Sequence, residues 1–168
     1  MIQIRTSCPE DVPRQRELWQ LAFGDDGAYV DNFYHTYYKP ERMLLLEEEG
    51  VVQAMTAWFD TDFVVPGRGR YRAAYLYAVA THPEAQGRGL AGQLLSGADH
   101  IFQGWDIPAV TTVPAEPSLH RFFGRNGFRE CFVDGQFSAS RDGWVIHPET
   151  AVLERLSPKE YRDLRERL

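Results

Sequence analysis

Tyr71 to Thr81 alternates Tyr71, Ala73, Tyr75, Tyr77 and Val79 with Arg72, Ala74, Leu76 and Ala78. As a strand it is largely apolar on both faces, so it needs cover on each side and belongs at the centre of a sheet. It leads through His82-Pro83-Glu84-Ala85-Gln86-Gly87-Arg88 to a stripe of Leu90, Leu94, Leu95, Ala98, Ile101 and Phe102. That spacing predicts a helix over Gly89 to Gln103, unbroken by proline. A central strand and a central helix joined by one short loop point to the α/β (α+β) class.

The flanking segments fit around this pair. Ile2 to Arg5 predicts a first strand, and Ser7-Cys8-Pro9-Glu10 fits a capping box opening a helix with Leu18, Trp19 and Ala22, ended by Gly24. Tyr29, Phe33 and Tyr37 lie four apart in a second helix over Ala28 to Tyr38, which Pro40 stops. Met43 to Glu47 and Val51 to Val64 predict strands joined at Glu48-Glu49-Gly50. Pro66-Gly67-Arg68-Gly69 then turns the chain into Tyr71 to Thr81, giving an antiparallel meander. Beyond the central helix we expect a strand over Pro108 to Val113, a helix over Ser118 to Arg125 closed by Asn126-Gly127, and a strand over Phe128 to Ser138. A chain of 168 residues, 43% of them hydrophobic, needs only one core. The domain is expected to span residues 1–156, with a C-terminal helix over 157–168.

Charge and patterning narrow the function classes. With 18 Lys+Arg against 24 Asp+Glu, the net charge of -6 argues against a nucleic-acid partner bound through the overall field. No apolar run approaches the about 20 residues of a membrane span, and Met1 to Ser7 lacks the apolar stretch of a signal peptide. We therefore expect a cytoplasmic protein with no membrane partner. Cys8 and Cys131 show neither metal-ligand nor redox-pair spacing, so both are expected to be unpaired thiols and no metal is expected.

The chemistry concentrates in the loop before the central helix. The first turn of a helix has unpaired N–H donors and a partial positive charge, and glycine lets the backbone curl so that several donors face one anion. A pyrophosphate suits such a place. Equally, Gly87, Gly89 and Gly92 could simply let a loop enter a packed helix. Those three glycines also satisfy Gly-x-Gly-x-x-Gly, but a dinucleotide fold puts the first glycine directly after the strand and an acidic residue about 20 positions later. Here polar residues intervene, and Thr111 and Thr112 occupy the later region. The Walker pattern fails too, because no Gly-Lys-Ser/Thr follows.

Gln86-Gly87-Arg88-Gly89-Leu90-Ala91 resembles the cofactor pattern Arg/Gln-x-x-Gly-x-Gly/Ala of the GNAT N-acetyltransferases, at the expected place between strand and helix. Phe122-Phe123-Gly124-Arg125-Asn126-Gly127-Phe128 resembles the same family's Phe-Tyr-x-x-x-Gly-Phe segment. Tyr77-Ala78-Val79-Ala80-Thr81-His82-Pro83 and Val113-Pro114-Ala115-Glu116 look closest to a bacterial branch related to the enhanced-intracellular-survival acetyltransferases. The resemblance follows element order from Ile2 to Ser138. It implies a mixed, mostly antiparallel, splayed sheet flanked by helices, with acetyl-CoA as cofactor. Its pantetheine would lie between the strands ending at Thr81 and Val113, along Val79, Ala80 and Thr81. Its pyrophosphate would sit on Gln86, Gly87, Arg88, Gly89, Leu90 and Ala91. The Arg88 side chain either adds a phosphate contact or is simply solvated.

The implied reaction is direct attack of a small-molecule or peptide primary amine on the thioester. The amine must be neutral, although a lysine-like amine has a pKa of about 10.4. Asp60 and Asp62 are candidate bases, though exposed carboxylates on an outer face are commoner. His82 and His120 are no better placed. Many family members protonate the departing thiolate with the tyrosine of Phe-Tyr-x-x-x-Gly-Phe, which here is Phe123 and cannot donate. Tyr75, Tyr77, Ser118 or water would have to serve, or the thiolate leaves unassisted. By the same resemblance Tyr29, Phe33, Tyr34, Tyr37, Trp58 and Phe59 make the acceptor side aromatic, with ordinary core packing as the plain alternative. The rival to an enzyme is a CoA-binding module without turnover, and a homo-oligomer is left open.

Ser157-Pro158-Lys159-Glu160 predicts a helix start, with Tyr161, Leu164 and Leu168 on one face. No glycine, asparagine or proline closes that helix. Two expectations fit: a terminus that frays, or a piece cut from a longer polypeptide. The resemblance favours the second.

Overall fold

The computed structural model describes residues 1–131, 155–165 and 167. The chain forms two compact units, Met1–Arg129 and Glu130–Leu168. The first opens with strand β1 (Ile2–Thr6), helix α1 (Val12–Phe23) and helix α2 (Gly27–Thr36). Strands β2 (Met43–Glu48), β3 (Val51–Val65) and β4 (Gly69–Thr81) follow, then helix α3 (Leu90–Gly104), strand β5 (Ala109–Thr111) and helix α4 (Ser118–Arg125). The sheet order is β1-β2-β3-β4-β5, antiparallel except for the parallel pair β4 and β5. This is the expected mixed α/β architecture, with β4 held between two neighbours.

Strand alternation explains the two layers. In β2, Met43 and Leu45 face one way and pack with Leu18, Trp19, Val30 and Phe33 of α1 and α2. Leu44 and Leu46 face the other way and pack with Leu90, Leu94, Ala98 and Phe102 of α3. Both faces of the sheet are therefore cores, and Trp19, Trp58 and Phe102 are the largest side chains fully enclosed in them. Gly97 lets α3 approach β1 closely, for a Cβ there would stand 2.9 Å from Ile4 Cγ2 and 3.2 Å from Ile4 Cδ1.

Three local details differ from the sequence expectation. The capping box is formed by Cys8 and Asp11, not Ser7 and Glu10, with Cys8 N–H donating to Asp11 Oδ2 at 2.8 Å. Ser7 is instead drawn into a buried network, accepting from Gln15 Nε2 at 2.5 Å and lying 2.7 Å from the Tyr38 hydroxyl. Helix α2 begins on an Asp26 cap and stops at Thr36, and Pro40 opens a short 3-10 turn. The strand expected over Pro108 to Val113 contracts to Ala109–Thr111.

The strand expected over Phe128 to Ser138 lies largely outside the described residues, as does most of the stretch that would carry the domain on to residue 156. In the second unit, helix α5 (Pro158–Arg165) starts on the expected box. Ser157 N–H donates to Glu160 Oε2 at 2.8 Å and Glu160 N–H donates to Ser157 Oγ at 3.3 Å.

Candidate functional site

Strand β4 does not keep its alternation to the end. Tyr77 pairs with Ala57 and Ala80 with Met55, so Ala78 and Val79 on β4 oppose Thr56 alone on β3. This is a β-bulge, and Ala78 takes a left-handed φ of 51° to make it. The bulge overturns one expectation: Val79 does not share the face of Tyr77. Tyr77 packs with the α1–α2 core, whereas Val79 packs with the α3 core. The fully buried Thr56 supports the turn, its hydroxyl donating to the carbonyl of Ala57 at 3.2 Å and reaching that of Tyr77 at 3.3 Å.

On its other side β4 pairs with β5 only through Ala73, Ala74 and Tyr75. Thr112 Oγ1 reaches the Leu76 carbonyl at 3.3 Å, and beyond that the strands part. The splay opens a cavity of about 200 Å³. Its walls are β4 from Tyr75 to Val79 and the segment Thr112 to Ala115. Leu119 and Phe123 of α4 line it from one layer, and Trp19, Phe23 and Asp25 from the other.

The β4 side runs directly into the glycine turn. Gly87 and Gly89 both adopt left-handed backbone, φ 74° and 78°, and Gly89 caps α3. A Cβ on either would stand in open space, with nothing within 4 Å. Among the described residues the N–H groups of Gly87, Arg88 and Gly89 donate to no other backbone group. Successive free N–H groups ahead of a helix N-terminus form a concave anion site, so the donor set fits a pyrophosphate. Gln86 braces the turn, its Nε2 donating to the Thr81 carbonyl at 3.3 Å. The Arg88 side chain is neither loose nor pointed at the turn: it grips Glu48 at the end of β2 through two bonds of 2.9 and 2.6 Å. That pairing raises the Arg88 pKa and lowers that of Glu48.

The proton-transfer candidates separate cleanly. Phe123 lines the cavity but is 6% exposed and packed against Phe122 and Phe128. Tyr75 and Tyr77 line it too, their rings 6.3 Å apart. Tyr77 OH lies 2.7 Å from Tyr29 OH, and burial first, then that bond, pushes the Tyr77 phenol well above its usual range. A phenol so shifted is a poorer donor to a thiolate than a free tyrosine. Ser118 is absent from the lining and donates to Glu116 at 3.2 Å. Asp60 and Asp62 lie opposite Ala74 and Arg72 on β4 and bond Arg42 at 2.7 Å and Arg70 at 3.0 Å. His82 accepts from Glu84 N–H at the start of the cofactor loop. Of the aromatic acceptor-side residues, Phe33 and Trp58 are core, with Trp58 on the opposite, α3 face.

Two features escaped the sequence reading. The bulge is invisible where both faces of a strand are apolar, because a shift by one leaves the pattern apolar. Nothing in the sequence pattern marks Asp25; its place in the cleft comes with accepting Trp19 Nε1–H at 2.8 Å across the end of α1.

Among the described residues no helix is long and apolar enough to cross a membrane, and no cluster of three potential metal ligands occurs. No curated protein matches the sequence. Among solved structures, the aminoglycoside antibiotic 6'-N-acetyltransferase AAC(6')-IG from Acinetobacter haemolyticus is similar at 18% identity and a TM-score of 0.68, over 83% of this chain and 99% of that one. AAC(6')-Iy, solved with the bisubstrate analog CoA-S-monomethyl-acetylneamine, is similar at 14% identity and TM-score 0.68, over 83% and 99%. Eis1 from Mycobacterium abscessus is similar at 18% identity and TM-score 0.62, over 74% of this chain but 31% of that one. At such identities these likenesses concern the fold. The family profile described as acetyltransferase (GNAT) domain matches residues 3–129, the stretch that carries the bulge, the splay and the glycine turn, and the chain belongs to that family.

Proposed function

We propose that the chain is an N-acetyltransferase that moves acetyl from acetyl-CoA to a primary amine of a small molecule or peptide. The observation that carries this reading is the cleft between β4 and β5, whose β4 wall ends in a glycine turn with free N–H groups. Gln86, Gly87, Arg88, Gly89, Leu90 and Ala91 would hold the pyrophosphate, and Val79, Ala80 and Thr81 the pantetheine arm. Acetyl-CoA supplies an activated thioester carbonyl there. The chain's own part is to position and to stabilise. At the bulge of Ala78 and Val79, where one-to-one pairing with β3 breaks, a backbone N–H would polarise the carbonyl oxygen that gains charge. The aromatic and apolar walls would limit water, and the amine, its proton given up to solvent, would attack the thioester carbonyl, forming the C–N bond as the C–S bond breaks and CoA leaves as the thiolate. Of the two tyrosines that line the cleft, Tyr75 would return a proton to sulfur, because the Tyr77 hydroxyl is engaged by Tyr29. Without such help a thiol pKa of about 8.5 still makes a fair leaving group.

Phe123 favours a second reading, a CoA-binding module without turnover, because the family's donor position holds a ring that cannot donate. One experiment separates them: pure protein is mixed with acetyl-CoA and a panel of amines while free thiol is followed. Thiol release that depends on the amine supports transfer, CoA binding with no release across the panel supports the module, and failure to bind CoA overturns both. We further read Tyr77 to Pro83 and Val113 to Glu116 as placing the chain near the enhanced-intracellular-survival branch, place the protein in the cytoplasm, and leave a homo-oligomer open.

A further inference from the structure

We infer, on the reading of this chain as an amine acetyltransferase, that Asp25 seats the acceptor in its ammonium form on arrival, before the proton is lost to solvent, and restricts acceptors to cationic amines that carry no adjacent carboxylate. Asp25 sits between the Gly24 cap that ends α1 and the Asp26 cap that starts α2, so its backbone is fixed at both ends. Asp26 is committed to its helix, accepting from Tyr29 N–H at 2.8 Å. The Asp25 carboxylate is aimed by the indole of Trp19, a ring that is 1% exposed, through the 2.8 Å bond to Oδ2.

Its place sets this carboxylate apart: among the described residues it is the one charged side chain in the lining of the cleft. Asp31 pairs with Arg16, Asp60 with Arg42, Asp62 with Arg70, Glu48 with Arg88, and Asp11 and Glu47 share Arg5. Asp25 pairs with no lysine or arginine of the described residues, although it is partly buried and lines the cleft. A carboxylate in a largely apolar cleft would hold an incoming ammonium by a charge-assisted hydrogen bond. The remaining wall suits the same ligand. Phe23 and Tyr77, packed 6.0 and 5.6 Å from the buried Trp19 ring, line the same cleft, and aromatic rings attract cations. The charge of Asp25 is felt across the opening: after burial and the Tyr29 bond, it is a further cause of the raised Tyr77 phenol. An acceptor carboxylate in this place would meet Asp25 as a like charge, so an amine is favoured over the corresponding amino acid.

The test uses the full chain and two probes, phenethylamine and phenylalanine, titrated by calorimetry with and without CoA. Phenethylamine should bind wild type at least tenfold more tightly than phenylalanine. Asp25→Asn keeps an oxygen for the Trp19 N–H and removes only the charge. It should weaken phenethylamine at least tenfold while leaving CoA affinity unchanged. Asp26→Asn makes the same charge change one residue away and should leave phenethylamine binding as in wild type. Equal binding of the two probes, no binding of phenethylamine to wild type, or equal affinity in Asp25→Asn overturns the inference. Loss of CoA binding in wild type overturns the acetyltransferase reading instead, and the titration without CoA still decides on Asp25.

Discussion

Replacing Gly89 by aspartate separates what the glycine turn does for folding from what it does for binding. Gly89 has φ 78° and nothing within 4 Å of where a Cβ would stand, so the free protein meets no clash. The left-handed backbone alone costs a non-glycine residue about 1–2 kcal/mol. For a chain of this size that lowers the melting temperature by about 2–8 °C. Gly89→Ala pays the same backbone cost without a charge and is the control. In wild type, CoA at a hundred times its dissociation constant adds about 2.7 kcal/mol, a rise of about 5–11 °C. An aspartate carboxylate about 4 Å from a phosphate charge at an effective dielectric of 20 is repelled by about 4 kcal/mol. Even a hundredfold loss of affinity, less than this repulsion predicts, leaves only about 0.4 kcal/mol at the same CoA concentration, close to 1 °C. The assay is thermal melting followed by circular dichroism, with and without CoA. A folded Gly89→Asp protein that keeps the full wild-type rise would show that the pyrophosphate does not lie on this turn.

Three further outcomes follow from the geometry. Phe123→Tyr puts a hydroxyl on a cleft-lining ring and should raise turnover with acetyl-CoA at least tenfold if a donor is all that is missing; unchanged turnover with CoA affinity preserved favours Tyr75 or the non-catalytic module. Gly97→Ala should destabilise by about 1–2 kcal/mol in urea melts despite better helix propensity, because the new methyl meets Ile4 at 2.9 Å, and Ile4→Ala in the same chain should recover part of that cost; simple additivity would refute the contact. Arg5 bonds Asp11 at 2.7 and 2.8 Å and holds its carboxyl well below the usual carboxylate range, chiefly through those hydrogen bonds. A depressed folded pKa means that this stability is fully present above the unfolded value of about 3.9 and is lost as pH falls below it, so urea midpoints should drop from about pH 4 downward, and less steeply in Asp11→Asn.

Elements governed by local chemistry were legible in the sequence. The Gly24 cap, the Ser157–Glu160 box, the turns at Glu49-Gly50 and Pro66–Gly69, and the stripe of α3 each rest on residues within one or two turns of one another. What the sequence concealed depends on which of several polar partners a side chain takes once the elements pack. Ser7 looked like a cap because serine favours that position, but Gln15 and Tyr38 claim its hydroxyl and leave the role to Cys8 and Asp11. The cofactor loop was readable because glycine at positive φ leaves a compositional trace. The acceptor side was not, since an aspartate that bonds a tryptophan in the neighbouring helix is spelled like any loop aspartate.

The parting of β4 and β5 after three paired residues has a consequence for how such a protein can change. Two walls of the slot are strand β4 and the segment after β5, so the opening follows from where these stop pairing and from the bulge at Ala78. Substitutions there change the lining while the opening persists. The layers that reach the slot also carry Phe23, Asp25 and Leu119, side chains on helices and a loop that are not buried and can vary in size and charge at little cost to the cores. Selection can therefore exchange one acceptor for another at a few helix positions while the place of reaction stays where it is, which lets sequence drift far under an unchanged chain path.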